Sequence, residues 1–318
     1  MKPFRVTAPG KLFLMGEYAV LEGAEAVVTA VNRRVCARPG ARAPDGLVAI
    51  ALSRAASRLG RADLANQPIE VDSASLFAGK KKLGLGSSAA VAAAVVATAL
   101  HSAEQDLSSP ESRRLVLETA CEAHDAFQRT RGSGADVAAA TYGGMLVVRR
   151  ASSGPPEVRP WTPPAGVHWA FLWTGSAAST KRRIWAVRRL KRLIPMSREV
   201  LFREMTQLSS RFVSRGSTDP ATLFETMNSY ADLMAMVGRL AGVPIVTPAI
   251  SKVIWAARKM GGAAKPSGAG GGDFAVAALP ESASLEAFSR LAAPEARWFA
   301  DLQPEPDGVR VEEFAATA

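Results

Sequence analysis

Leu83-Gly84-Leu85-Gly86-Ser87-Ser88-Ala89-Ala90, followed by an Ala/Val tract to Leu100, is the stretch on which the fold turns. Two glycines give a loop with no side chains to hinder close approach, and the small apolar residues after them predict a helix buried on most sides. Ser87 and Ser88 are residue types that cap helix starts. A glycine loop opening onto a helix amino terminus presents free backbone N–H groups and the positive end of the helix dipole, which together can hold a phosphate. The spacing is neither that of a P-loop, which ends in Gly-Lys-Ser/Thr, nor that of a dinucleotide fold. Taken alone it reads equally well as a tight turn before a core helix.

Upstream, glycine-broken apolar runs at residues 4–8, 12–15, 26–31 and 35–38 predict short strands, and residues 46–59 carry helical spacing. Downstream, helices are expected over 110–129 and from Ala135, with a turn at Gly143-Gly144 and a strand over 145–148. Residues 152–164, rich in Ser, Gly and Pro, mark a boundary that divides the chain into lobes 1–160 and 161–318. Beyond it, strands are predicted at 167–174, 274–279 and near Val309, and helices at 182–193, 197–214, 220–241, 248–260 and 284–291. Strands mixed with helices in both halves predict an α+β protein.

The chain has 318 residues, 39 Lys plus Arg against 29 Asp plus Glu, and a formal net charge of +10. That length supports one large or two medium domains with a sizeable core, which excludes a disordered chain or a small stapled scaffold. Two cysteines, Cys36 and Cys121, make no disulfide framework, and three histidines offer no zinc spacing, so a reducing cytoplasm is the expected setting. Gly10, Lys11, Gly16 and Glu17 interrupt any export segment, and no apolar run approaches the ~20 residues that span a bilayer. The positive balance predicts anionic partners. A nucleic-acid surface would interleave exposed aromatics with its cations, and apart from Trp185 the basic stretches show little of this. Neither a specific nucleic acid nor a membrane is an expected partner.

Three segments carry a family resemblance. Pro9-Gly10-Lys11 with Gly16-Glu17-Tyr18-Ala19-Val20, then Gly84 to Ala90, then Lys265-Pro266-Ser267-Gly268-Ala269-Gly270-Gly271-Gly272-Asp273, resemble in order the three motifs of the GHMP kinases, small-molecule kinases of galactose, homoserine, mevalonate and phosphomevalonate. The resemblance implies an amino-terminal lobe like ribosomal protein S5 domain 2 and a ferredoxin-like carboxy-terminal lobe. It implies ATP as co-substrate, its phosphates wrapped by Gly84, Leu85, Gly86, Ser87, Ser88 and Ala89 with Lys82 alongside, and Mg2+ held by the loop serines, Ser88 among them; Asp125 or Glu122 could add a carboxylate, and the spacing from Asp136 favours Asp125. Lys11 and Asp136 are the implied catalytic pair. Glu17, Tyr18, His124, Gly134, Ser179, Ser267, Gly268, Ala269 and Gly270 join them around the acceptor.

Between the motifs, Ala123-His124 with Gln128, Gly132-Ser133-Gly134-Ala135-Asp136, Tyr142-Gly143-Gly144, the Trp173 to Thr180 stretch and Gly242 to Pro248 resemble the phosphomevalonate kinases of that family. Phe274-Ala275 depart from the Cys-Gly that such relatives often carry after the aspartate. The resemblance therefore implies transfer of phosphate from ATP to 5-phosphomevalonate in isoprenoid biosynthesis, by a monomer or homodimer. Mevalonate, or the acceptor of another small-molecule kinase of the family, is the alternative, and a catalytically silent sensor on the same fold is the non-enzyme reading beside a basic nucleic-acid binder. A second phosphate calls for a second anion site, for which Ser179 and Lys82 are the candidates. Most of the Arg182 to Arg192 run keeps helical spacing and reads as a solvated face, and Met227, Met234 and Met236 read as core.

Overall fold

A computed structural model describes residues 2–175 and 180–314. The chain runs β1 (Phe4–Met15), β2 (Glu25–Pro39), α1 (Gly46–Leu59), β3 (Ile69–Asp72), β4 (Phe77–Ala78), β5 (Lys81–Lys82), α2 (Ser87–Ser102), α3 (Pro110–Gln128), α4 (Ala135–Tyr142), β6 (Met145–Arg149) and β7 (Glu157–Pro160). It continues through β8 (Val167–Trp173), α5 (Thr180–Leu193), α6 (Pro195–Ser214), α7 (Pro220–Ala241), α8 (Pro248–Lys259), β9 (Ala263–Pro266), β10 (Phe274–Pro280), α9 (Leu285–Ala292), β11 (Arg297–Trp298) and β12 (Arg310–Glu313). Two compact units result. One takes the chain up to Lys11, Val28–Val158 and everything from Gln303 onward; the other takes Leu12–Val27 and Arg159–Leu302. The division expected at residue 160 falls beside the Val158/Arg159 junction, but the ranges 1–160 and 161–318 are exchanged at two further places, within β1 and β2 and at the carboxy-terminal return.

In the first unit the sheet order is β12-β1-β2-β6-β7, with β3 also paired to β2. The carboxy-terminal strand lies antiparallel on β1, Phe4 opposite Glu313 and Thr7 opposite Arg310. Two runs expected as pairs of short strands are each one continuous strand. Gly10 does not break β1, because its bare α-carbon serves a close approach: a Cβ there would lie 2.8 Å from the Leu85 carbonyl oxygen. Helix α2 packs against α1, α3 and α4, and Ala89, Ala90 and every residue from Ala92 to Leu100 are buried. Its small side chains let three neighbouring helices come close. Ser109 caps α3 by accepting from the Ser112 N–H, with Pro110 at the first helical position.

The second unit holds a four-stranded sheet, order β11-β8-β10-β9, with neighbouring strands antiparallel. Its core is built from Ala170, Leu172, Ile250, Val253, Ala264, Ala277, Leu279 and Phe288. Asp219 and Thr247 cap α7 and α8. Met227 and Met234 are core as predicted, whereas Met236 is exposed.

β12 is an integral strand of the first unit, and Val309 just before it is buried. Ending the chain after Leu302 should cost at least about 2 kcal/mol, the burial of one such aliphatic side chain alone. Urea unfolding followed by circular dichroism checks this, and a full-length midpoint in the truncated chain would contradict it.

Candidate active site

In the first unit the site grows from the start of α2. Gly86 is the N-cap, in the left-handed region with φ 76°, and no side chain caps the helix. The expected capping by Ser87 and Ser88 is corrected: they occupy the first two helical positions, and the first-turn N–H groups have no side-chain acceptor. The Ser88 hydroxyl lies 2.9 Å from Nε2 of His124 on α3. Leu85 is buried, while Gly84 is exposed and Ser87 partly so.

Lys11 reaches this loop from β1. Its main-chain N–H donates to the Leu85 carbonyl at 2.9 Å, and its side chain, 9% exposed, crosses Gly86. A Cβ at Gly86 would lie 3.1 Å from Lys11 Cε, 3.2 Å from Lys11 Cγ and 3.6 Å from Asp136 Cβ. Residues from three distant stretches thus meet at one glycine. Asp136 stands in the first turn of α4, after Gly134 at φ 75°. Burial opposes its charge, but His124, Lys11 and the N–H groups of Asp136 and Val137 outweigh that and hold its pKa below the ordinary 3.8. Stability from this pairing is complete above the unfolded value and is lost as pH falls through the lower folded-state value. Asp136 is therefore a carboxylate across the whole neutral range.

Of two further expected ligands, one is engaged elsewhere and the other is exposed. Asp125 Oδ1 accepts the Gly132 N–H at 2.9 Å and so shapes the loop leading to Asp136. Lys82 is exposed on β5, whose partner is β4. Among the described residues no group of three or more His, Cys, Asp or Glu could hold a metal ion. Ser88 still offers a hard oxygen donor at the loop, which suits a magnesium ion that arrives on phosphates and needs few protein ligands.

In the second unit a buried ion pair organises the remaining motif residues. Glu17 Oε1 accepts from Lys265 Nζ, and the two side chains are 2% and 0% exposed. The same oxygen accepts the Gly268 N–H at 3.1 Å, and Lys265 also donates to the Pro266 carbonyl at 2.7 Å. The Tyr18 hydroxyl donates to the Ala269 carbonyl at 2.6 Å, Ser267 Oγ accepts the Phe13 N–H at 2.8 Å, and Tyr230 donates to the Glu17 carbonyl at 2.7 Å. Burial pushes the Tyr18 hydroxyl pKa well up, so it stays a donor. Gly270 completes the loop at φ 69°. Glu17 is a loop-holding residue, its carboxylate engaged by Lys265 and the Gly268 N–H. Ser267 likewise uses its oxygen on the backbone and keeps its proton to donate.

Sequence reading missed three participants. Lys265, read only as part of a motif, is the fully buried cation; its place between two alanines and a proline is a signal for burial, but nothing in the sequence pairs it with Glu17. Arg183, read within a solvated run, donates to the Gly271 carbonyl at 3.0 Å. Cys121 lies under the loop, its Sγ 3.3 Å from where a Gly134 Cβ would be, and burial pushes its thiol pKa up. Ser179 lies outside the described residues.

Comparison with known proteins bears on the family and the fold. Residues 47–144 match the family model "GHMP kinases N terminal domain" and residues 215–295 match "GHMP kinases C terminal". A phosphomevalonate kinase from a Streptomyces species is 28% identical over 88% of this chain and 90% of its own length. A mevalonate kinase from Archaeoglobus fulgidus is 26% identical over 96% of this chain and 99% of its own length. The structure of Streptococcus pneumoniae phosphomevalonate kinase in complex with phosphomevalonate and AMPPNP superimposes with a TM-score of 0.78 at 17% identity, covering 98% of this chain and 99% of that one. The α+β, two-domain fold expected from the motifs is the fold the chain has.

Replacing Lys265 by Met would leave the Glu17 carboxylate buried without its cation. Breaking one side of such a pair costs about 3–5 kcal/mol. Denaturant unfolding should show that loss, with part of it restored in Glu17→Gln/Lys265→Met; an unchanged midpoint in Lys265→Met contradicts the role given to the pair.

Proposed function

We propose that this chain, which belongs to the GHMP kinases and so to a family of phosphotransferases, uses ATP to phosphorylate 5-phosphomevalonate to 5-diphosphomevalonate. The observation that carries this reading is the meeting of Lys11, Gly86 and Asp136 at the uncapped start of α2. Phosphoryl transfer needs positioning and charge stabilisation far more than covalent chemistry. In the proposed reaction the backbone N–H groups of the loop and first helical turn receive ATP phosphates, and Lys11 neutralises charge on the phosphoryl group in transit. The bound magnesium would screen phosphate charge, with the Ser88 hydroxyl as a protein ligand.

The state of Asp136 bears on the acceptor. An alcohol must lose a proton as it attacks, and a good general base has a pKa near the working pH. A carboxylate held below 3.8 is a weak base. A phosphate monoester, with a second pKa of about 6, is already mostly dianionic at neutral pH and needs no base. Asp136 would then orient Lys11 and the substrate. The residue pattern around Gly132 to Asp136 and the 28% identity to the Streptomyces enzyme support the same acceptor. In this reading His124 and Gly134 line the acceptor site beside Lys11 and Asp136, with Lys82 as a candidate for its phosphate. The similarity to a mevalonate kinase keeps mevalonate as the rival acceptor.

An ADP-release assay run with both acceptors tests the proposal. Phosphomevalonate should be turned over and mevalonate should not; the reverse would overturn the assignment. Lys11→Met should lose about a thousandfold or more in kcat, while Asp136→Asn should lose only about ten- to a hundredfold, less than removal of a true general base. Equal losses in the two variants would refute the orienting role.

A further inference from the structure

The most uncompensated charge in the described chain lies on α5. Between Thr180 and Leu193 it carries seven cations, Lys181, Arg182, Arg183, Arg188, Arg189, Lys191 and Arg192, and no Asp or Glu. Arg183 turns inward to the Gly271 carbonyl. The other six are exposed, and none forms an ion pair among the described residues. Ala186, Val187 and Leu190 are buried, and the helix packs on α6 and α7. The opposite face has a tryptophan at its centre. At 3.6 residues per turn, Lys181, Arg182, Arg188, Arg189 and Arg192 all fall within about 60° of Trp185. Trp185 is 61% exposed, with the Arg189 guanidinium 4.9 Å from its ring centre. Leu193 at the end of the helix is 62% exposed, and on the first turns of α6 Met196 and Val200 are 81% and 58% exposed, beside Glu199, whose charge is paired with Arg203.

We propose that α5 and the start of α6 form a peripheral docking surface for an anionic phospholipid bilayer. A helix of 14 residues that carries seven cations cannot cross a membrane, and no described helix is long and apolar enough to do so. It can lie in the interface plane, with cations at the headgroups and Trp185, Leu193, Met196 and Val200 entering the apolar boundary. A nucleic acid would use the cations and the indole but has nothing for three exposed aliphatic side chains. A second copy of this chain docked face to face would set one basic helix against another. Of these three, the bilayer alone uses both the charge and the apolar residues. The expectation of no membrane partner rested on the missing spanning segment, which a surface helix does not need. The inference is independent of the proposed acceptor.

Co-sedimentation of the full chain with vesicles tests it. The protein should bind vesicles of phosphatidylcholine mixed with phosphatidylglycerol, weaken as salt is raised, and ignore phosphatidylcholine alone. Arg188→Gln/Arg192→Gln should lower partitioning about thirtyfold, from roughly fivefold per lost cation, and Trp185→Ala should lower it about tenfold. In the unaltered chain, lipids brominated in the acyl chains should quench tryptophan emission, and Trp185→Phe should abolish most of that quenching. Equal binding to both vesicle types, or to neither, overturns the proposal. So does salt-sensitive retention on RNA without vesicle binding, or a concentration-dependent dimer lost in Trp185→Ala without vesicle binding.

Discussion

The first unit's chemistry depends on one steric constraint, the absence of a side chain at Gly86. Because nothing projects from that α-carbon, the Lys11 side chain can lie across the loop and come within reach of Asp136. The same glycine takes the left-handed conformation that starts α2 without a capping side chain, so one residue provides both the uncapped N–H groups and the place for the cation. The Ala-rich body of α2 fixes this arrangement, because its buried residues touch three other helices and cannot shift independently. Lys11 in turn is fixed by its main-chain bond to Leu85 and by the continuity of β1 through Gly10.

The second unit solves a similar problem with charge. A loop of four glycines between residues 268 and 272 has little side-chain packing of its own, and folding it costs more backbone entropy than other residues would. Glu17, Tyr18 and Arg183 bind its backbone at Gly268, Ala269 and Gly271. The Glu17–Lys265 pair is buried, so it is weak as a source of net stability but strict about geometry: neither partner can leave without stranding the other. Its worth lies in holding the loop in one shape.

Much of this was legible in the sequence, and what was not has identifiable causes. Helices over 46–59 and 220–241 read correctly because apolar spacing and terminal Gly, Pro and Asp agree with one another. The meeting of Lys11 with the glycine loop and Asp136 followed from motif resemblance, since no local rule brings residues 125 positions apart into contact. Local reading failed where a long-range contact decides the outcome. Gly10 looks like a strand breaker until Leu85 is placed against it, and the carboxy-terminal strand looks like the end of the second lobe until it pairs with β1. Asp125 and Glu17 carry the right chemistry for a metal or a substrate, but backbone N–H groups and a buried lysine reached only through the fold engage them first. The basic run on α5 divides in the same way, with Arg183 turned inward and the rest left to solvent.

In the proposed reaction the acceptor is itself a phosphate, and a carboxylate as weakly basic as Asp136 would then suffice beside Lys11. Phosphorus NMR of the reaction with ATP tests this at the bond formed. The account predicts that the phosphomevalonate monoester resonance is replaced by two mutually coupled signals of a diphosphate ester, alongside ADP. A single new monoester signal arising from mevalonate, with phosphomevalonate left unchanged, would contradict it.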